Sequence, residues 1–240
     1  MGEFRWSRKP SPWCDATKRA LDVVVAAATL IALAPLLGAI AVAIRATLGS
    51  PILFRQTRIG LRERPFTILK FRTMREPCPG EVWFRTNDER VTRLGRFLRT
   101  SSLDELPELW NVIRGDMSLV GPRPLLPEYL EEYTPEERRR HDVRPGITGW
   151  AAVHGRNVLP FRERLRLDVW YVAHRSSALD LRILMRTVTQ VLRRTNAVVS
   201  EDNARLGFPM ARLAPGRTSG VEAFRSDAAP SGDERDPLAR

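Results

Sequence analysis

The chain has 240 residues, with 39 lysines and arginines against 28 aspartates and glutamates, for a formal charge of +11. At 43% hydrophobic it is too apolar for a wholly disordered chain, and two cysteines, Cys14 and Cys78, exclude a disulfide scaffold or a cysteine-rich zinc module. The basic balance points to an anionic partner: nucleic acid, phospholipid headgroups or a phosphorylated substrate.

The first element is apolar. Val23 to Ile44 carries no charge and is bounded by Asp22 and Arg45. As a straight helix it would reach about 33 Å at ~1.5 Å per residue, enough for a ~30 Å hydrocarbon core, and it exceeds the roughly 7–15 residues of a signal-peptide core. Pro35 interrupts it by removing a backbone donor and clashing with the Ile31 carbonyl, and Gly38 weakens the next turn. Both flanks are basic. Arg5, Arg8, Lys9, Lys18 and Arg19 precede the segment, and Arg55, Arg58, Arg62, Arg64, Lys70, Arg72 and Arg75 follow it. Positive charge favours the cytoplasmic side, and an arm of about 18 Å from Val23 to Ala34 cannot span. The expectation is a re-entrant membrane helix over residues 17–48, broken at Pro35, after an N-terminal segment, 1–16. A Pro-kinked spanning helix is the alternative.

The chain beyond reads as α+β and mostly helical, a catalytic domain over 49–204. Pro65–Met74 alternates apolar and polar side chains and predicts a strand or extended segment. Glu76–Gly80 is a loop by its prolines and glycine. Val91, Leu94, Phe97 and Leu98 at helical spacing, between Arg90, Arg93, Arg96 and Arg99, predict a basic amphipathic helix. It would lie on an anionic membrane surface or pack on the core with a solvated basic face. Leu103, Leu106, Leu109/Trp110 and Ile113 form the next stripe. Thr134-Pro-Glu-Glu is a helix start, and helices follow at Phe161–Arg175 and Leu179–Arg194. In the last, Leu181, Leu184, Met185, Val188, Val191 and Leu192 share one face and Arg182, Arg186 and Arg193 another. Residues 205–240 are expected to be a disordered tail, with little periodicity beyond about Leu213.

The chemistry concentrates in Arg99–Pro124, RTSSLDELPELWNVIRGDMSLVGPRP. Asp104 and Glu105 at a helix start read as a cap, with Ser102 and Glu105 matching a capping box. With Asp104 itself as the cap, Pro107 falls in the first turn, where it is tolerated. A carboxylate attacking phosphate needs cations beside it, and Arg99, Arg114 and Arg123 lie near in sequence. A second acid suits Mg²⁺, which takes one or two carboxylates plus phosphate oxygens. Gly121-Pro122-Arg123-Pro124 is a rigid turn presenting one arginine to a phosphate or flat base. Arg144–Trp150 is a substrate-shaping loop with Trp150 at the membrane interface, or a turn with a core tryptophan. His154 and His174 read as structural.

The runs KFRTM, LGRFLR, SLDELPELWNVIRGDMSLVGPRP, RPGITGW and LDVWYV…LDLRIL resemble the bacterial sugar transferase family over roughly Thr17 to Asn203. These are the monotopic polyisoprenyl-phosphate phosphoglycosyl transferases that initiate surface-polysaccharide and glycoconjugate synthesis, and the chain resembles their minimal form. The resemblance implies transfer of a sugar 1-phosphate from a UDP-sugar to undecaprenyl phosphate, with UMP released through a covalent phosphosugar intermediate. It makes Asp104 the nucleophile, Glu105 (with Asp104) the Mg²⁺ ligand, Arg99 a phosphate contact, and Arg123 between Pro122 and Pro124 the nucleotide contact. Pro35 becomes the hinge of the re-entrant helix. Glu108 departs from the family's usual glutamine, and Ala34 from its common serine.

The implied location is the bacterial cytoplasmic membrane, with the catalytic domain, its amphipathic helices at the interface, facing the cytoplasm on an anionic phospholipid surface. A homodimer is compatible with it. No nucleic acid is expected, because the arginines are spread over several segments. The competing reading is a non-catalytic, membrane-anchored basic module for nucleic acid or anionic lipid.

Overall fold

The computed structural model describes residues 12–76, 90–155 and 159–193. All lie in the first of two units, Met1–Phe208; the second is Pro209–Arg240. The expected tail, the N-terminal eleven residues and most of the Glu76–Gly80 loop fall outside the described residues.

Two helices open the chain, α1 (Pro12–Ala32) and α2 (Ala34–Leu48), bent by 64° at Leu33. Pro35 sits in the first turn of α2, where its missing N–H costs nothing. Neither arm alone is long and apolar enough to cross a membrane, whereas the bent pair together has the length and composition. The break therefore falls where Pro35 dictates.

Side chains tie both arms to the rest of the unit. Arg19 of α1 donates to the carbonyls of Val112 (2.6 Å), Ile113 (3.1 Å) and Met117 (3.2 Å). Lys18 pairs with Asp180 at 2.7 Å, and Asp22 accepts from the Ser118 hydroxyl at 2.7 Å. Arg72 donates to Leu48 O, at the end of α2, and to Pro51 O at 3.1 Å. Lys18, Arg19 and Arg72, counted above as flanking charge, are thus structural ties, and Arg19 and Arg72 satisfy carbonyls that helix ends leave open.

An antiparallel hairpin follows, β1 (Leu53–Ile59) with β2 (Pro65–Phe71), pairing Phe54 with Lys70, Gln56 with Ile68 and Arg58 with Phe66. Alternation puts these six side chains on one face. Ile68 joins the main core with Ala26, Leu109, Val112, Met117, Val120, Tyr171 and Ile183. Phe71, on the other face, joins Ile40, Ile44 and Leu98 in a second cluster. The hairpin thus lies between α2, packed on the Phe71 face, and α1, whose Ala26 packs with Ile68 on the face that carries Arg58 and Lys70.

Helix α3 (Arg93–Thr100) starts two residues later than the apolar spacing implies. Thr92 caps it by accepting from Gly95 N–H at 3.0 Å, leaving Val91 to bridge Met74. Leu98 is buried, while Phe97 is 52% exposed. The next stripe is not one helix. A single 3-10 turn (Leu103–Glu105) precedes α4 (Glu108–Arg114), and Leu109 turns inward while Trp110 faces out.

Strand β3 (Ser118–Val120) pairs in parallel with β4 (Gly146–Thr148), so the loop expected at Arg144–Trp150 holds a strand. Short helices α5 (Pro135–Arg138) and α6 (Trp150–Val153) are followed by α7 (Phe161–His174) and α8 (Ser177–Arg193), close to their expected bounds. Thr134 and Glu137 complete a capping box on α5. In α8 the fully buried apolar position is Ile183, whereas Leu181 and Met185 are 62% and 64% exposed. Of the expected apolar face, Leu181, Met185, Val188 and Val191 are exposed and only Leu184 packs against the core among the described side chains. Trp150 stacks on Trp170, with centroids 4.8 Å apart, and contacts His154; Trp170 stacks on His174. The described residues are mostly helical α+β with two two-stranded sheets.

Candidate active site

The acidic pair lies on a turn isolated by two kinks. Ser102 adopts a left-handed conformation (φ 56°), ending the path of α3. Pro107 has no N–H to donate, so the backbone runs on i→i−3 bonds: Glu105 to Ser102, Leu106 to Leu103, Leu109 to Leu106. The caps proposed from the sequence do not form. Ser102 makes no capping hydrogen bond, α4 begins after Pro107, and Asp104 has no hydrogen-bond or ion-pair partner among the described residues. The two carboxylates are presented rather than used by the backbone.

Cations surround them. Glu105 Oε1 lies 2.7 Å from Lys70 Nζ and 2.9 Å from Arg123 Nη2. Lys70 also lies 3.1 Å from Glu108 Oε1, on the first turn of α4. Arg99, in the last turn of α3, donates from Nε to Thr73 Oγ1 at 3.0 Å and comes near enough to Asp104 to favour its ionised form. Gly95 permits this approach, since a Cβ there would strike the Thr73 carbonyl. Arg114 is elsewhere, pairing with Asp116 at the far end of α4.

Burial and the adjacent Glu105 push the Asp104 carboxyl up to about 6, against the pull of Lys70, Arg99 and Arg123. Burial also raises Glu108 despite Lys70, and Glu105 holds the Arg123 guanidinium more firmly protonated. With two acids shifted toward neutrality among several cations, the site is suited to an anion.

The Gly-Pro-Arg-Pro turn is built from its backbone. Gly121 N–H donates to Thr148 O and Gly146 N–H to Pro122 O, both at 2.9 Å. A Cβ on Gly121 or Gly146 would drive into the facing backbone, so the two segments close only through glycine. Pro122 and Pro124 are buried and contribute rigid backbone. Buried Arg140 donates to Arg123 O at 2.6 Å, to Asp168 Oδ2 at 2.7 Å and to Tyr133 Oη at 3.1 Å. Arg123 is thereby fixed at its main chain, leaving its guanidinium to reach Glu105.

The structure thus assembles Arg99, Asp104, Glu105 and Arg123 from the sequence reading, and Pro35 stands apart at the bend. It adds Lys70 and Glu108. The signal for Lys70 is its place two residues beyond buried Ile68 on the same face of a strand. No group of three or more metal-ligating side chains converges among the described residues; Asp104 and Glu105 offer two carboxylates, the number Mg²⁺ takes when phosphate oxygens complete its shell.

The family model of the bacterial sugar transferases matches residues 13–194. An uncharacterised sugar transferase, EpsL, of Bacillus subtilis is 48% identical over 66% of this chain and 81% of its own length. The UDP-glucose:undecaprenyl-phosphate glucose-1-phosphate transferase of Caulobacter vibrioides is 47% identical, over 76% of this chain and 72% of its own. The undecaprenyl-phosphate glucose phosphotransferase of Komagataeibacter xylinus is 42% identical over 79% of this chain, which spans only 38% of that longer protein.

Proposed function

The chain belongs to the bacterial sugar transferase family and is a phosphotransferase, and from that premise we propose that Asp104 is the nucleophile of a two-step transfer. A sugar 1-phosphate, glucose 1-phosphate first among the candidates, passes from a UDP-sugar to undecaprenyl phosphate. One observation carries the reading: Asp104 has no hydrogen-bond or ion-pair partner among the described residues, yet sits among Lys70, Arg99 and Arg123. A helix cap needs no such surroundings, and a basic binding module gives this carboxylate no task.

In the first step a carboxylate oxygen of Asp104 attacks the β-phosphorus. The bond from that phosphorus to the bridging oxygen breaks, and its electron pair leaves with UMP. In the second, a phosphate oxygen of undecaprenyl phosphate attacks the same phosphorus and regenerates the Asp104 carboxylate. Arg99 and Arg123 offset the charge that would repel an anionic nucleophile from a diphosphate. Lys70 orients Glu105 and lowers the charge beside Asp104. Asp104 and Glu105 would hold Mg²⁺, which when bound neutralises phosphate charge.

The re-entrant placement in a cytoplasmic membrane is supported by the ties at Arg19 and Leu48, which hold the start of α1 and the end of α2 to one body. A spanning helix would separate those ends. The exposed Ile31, Val42, Phe97, Leu181 and Met185 offer apolar contact to lipid, next to abundant arginine.

The test incubates the membrane-embedded protein with labelled UDP-glucose, Mg²⁺ and undecaprenyl phosphate, and extracts lipid. Labelled lipid with an equal amount of UMP is expected. If no UDP-hexose yields labelled lipid, the reading fails.

A further inference from the structure

The mechanism leaves the half-buried cation Arg58 without a task. Arg58 sits on β1 opposite Phe66, on the hairpin face that carries Lys70. Its Nη2 donates to Gln56 Oε1 at 2.6 Å and its Nη1 to Pro124 O at a long 3.4 Å, and buried Nε has no hydrogen-bond partner among the described residues. Both partners are neutral. Arg164 of α7 shares this feature, with Nε and Nη2 buried and making no hydrogen bond among the described residues, whereas other enclosed cations are treated differently. Arg140 pairs with Asp168, and Lys70 with Glu105 and Glu108; Arg19 and Arg72 serve carbonyls at helix ends. Arg58 instead faces a like charge. Burial and nearby Arg123 hold its guanidinium down to about 10, with Glu108, Tyr129 and Glu128 offsetting only in part. Arg164 of α7 adds a further guanidinium near Arg123.

A cation kept from water beside a second cation is costly for a fold to retain. It is what an anion-binding subsite requires before its ligand arrives. Arg58 reaches the carbonyl of Pro124, the residue after Arg123, so the two guanidinium groups approach the same turn. Resting on the transfer proposed above, we propose that Arg58 and Arg123 form a phosphate subsite for the departing nucleoside monophosphate. When the bond from the β-phosphorus to the bridging oxygen breaks, that oxygen stays with UMP, whose phosphate gains a negative charge. Arg58 stabilises that charge, while Arg99 and Lys70 attend the transferred phosphate at Asp104.

The experiment measures binding of UMP and of uridine to the full chain in nanodiscs, without acceptor lipid, for wild type, Arg58→Gln and Arg58→Lys, with thermal unfolding of each. Arg58→Gln should weaken UMP about tenfold or more, the factor of a hydrogen bond to a charged group. Uridine affinity should be unchanged, and Arg58→Lys should recover part of the loss. The unfolding midpoint of Arg58→Gln should hold or rise, because an under-compensated buried charge is removed. A lowered midpoint with equal losses for UMP and uridine would make Arg58 a scaffold residue and overturn the proposal. So would unchanged UMP affinity. UMP binding that ignores Arg58 leaves the transferase reading standing. UMP binding that depends on Arg58, without any labelled lipid product, would remove transfer and keep the subsite.

Discussion

Asn111 is the joint between the core and the catalytic cations. It is fully buried on α4, and its side chain completes the free edge of β2. Oδ1 accepts from Leu69 N–H at 3.0 Å, while Nδ2 donates to Thr67 O at 2.7 Å and Asp116 Oδ2 at 3.2 Å. Asn111→Ala leaves the Leu69 N–H and the Thr67 carbonyl without partners. At about 1–3 kcal/mol per stranded group, the loss is roughly 2–6 kcal/mol, a large part of the ~5–15 kcal/mol of a whole domain. The unfolding midpoint, followed by tryptophan fluorescence, should fall by roughly 4–24 °C at about 2–4 °C per kcal/mol. Lys70 follows Leu69 directly, so loosening β2 also frees the ammonium from Glu105, and kcat should fall below the stability threshold temperature as well. A shift under about 1 °C would refute the account of this joint.

Lys70→Met leaves Glu105 and buried Glu108 without their shared cation and should cost about 3–5 kcal/mol by denaturant unfolding; adding Glu108→Gln should restore most of the stability but not the activity. Because the Asp104 anion attacks and burial with Glu105 pushes its carboxyl up to about 6, kcat/KM should fall about tenfold per pH unit well below that value. Arg99→Gln, by removing a charge that favours the anion, should move this limb to higher pH, and a rate flat from pH 5 to 7 would contradict the assignment. Excess chelator should abolish turnover and Mg²⁺ restore it, since two phosphates and two acids need a counter-ion; full activity in chelator would take the metal role from Glu105. Cysteines introduced before Lys18 and in the C-terminal tail should both resist an impermeant thiol reagent in intact cells, and labelling of either would favour a spanning helix.

Local physics made some features legible. The break at Pro35, the capped start at Thr134 and helices α7 and α8 follow from backbone chemistry and apolar periodicity. The kink before the acidic pair did not show, because it needs Ser102 in a left-handed conformation, and serine gives no notice of that. Strand β1 was hidden by Arg55 and Arg58, whose charges read as membrane flank. Lys18 and Arg19 read as flanking charge for a similar reason, since their partners lie far along the chain, as Asp180 does from Lys18. The exposed stripe of α8 shows the limit of periodicity, which reports an amphipathic helix without saying which side meets the core. Asp104 and Glu105 were legible as a pair but ambiguous in role, and three-dimensional context shifted the balance by denying them any cap.

The covalent intermediate is the center of the account, and one trapping experiment addresses it. The enzyme is mixed with UDP-sugar labelled in the β-phosphate, without acceptor lipid, quenched in denaturant and digested for mass spectrometry. The account predicts a sugar phosphate on the peptide containing Asp104, chased off by undecaprenyl phosphate. It predicts none in Asp104→Asn, which should fold normally because asparagine fits the site in shape. A folded Asp104→Asn enzyme that still releases UMP at the ordinary rate would contradict it.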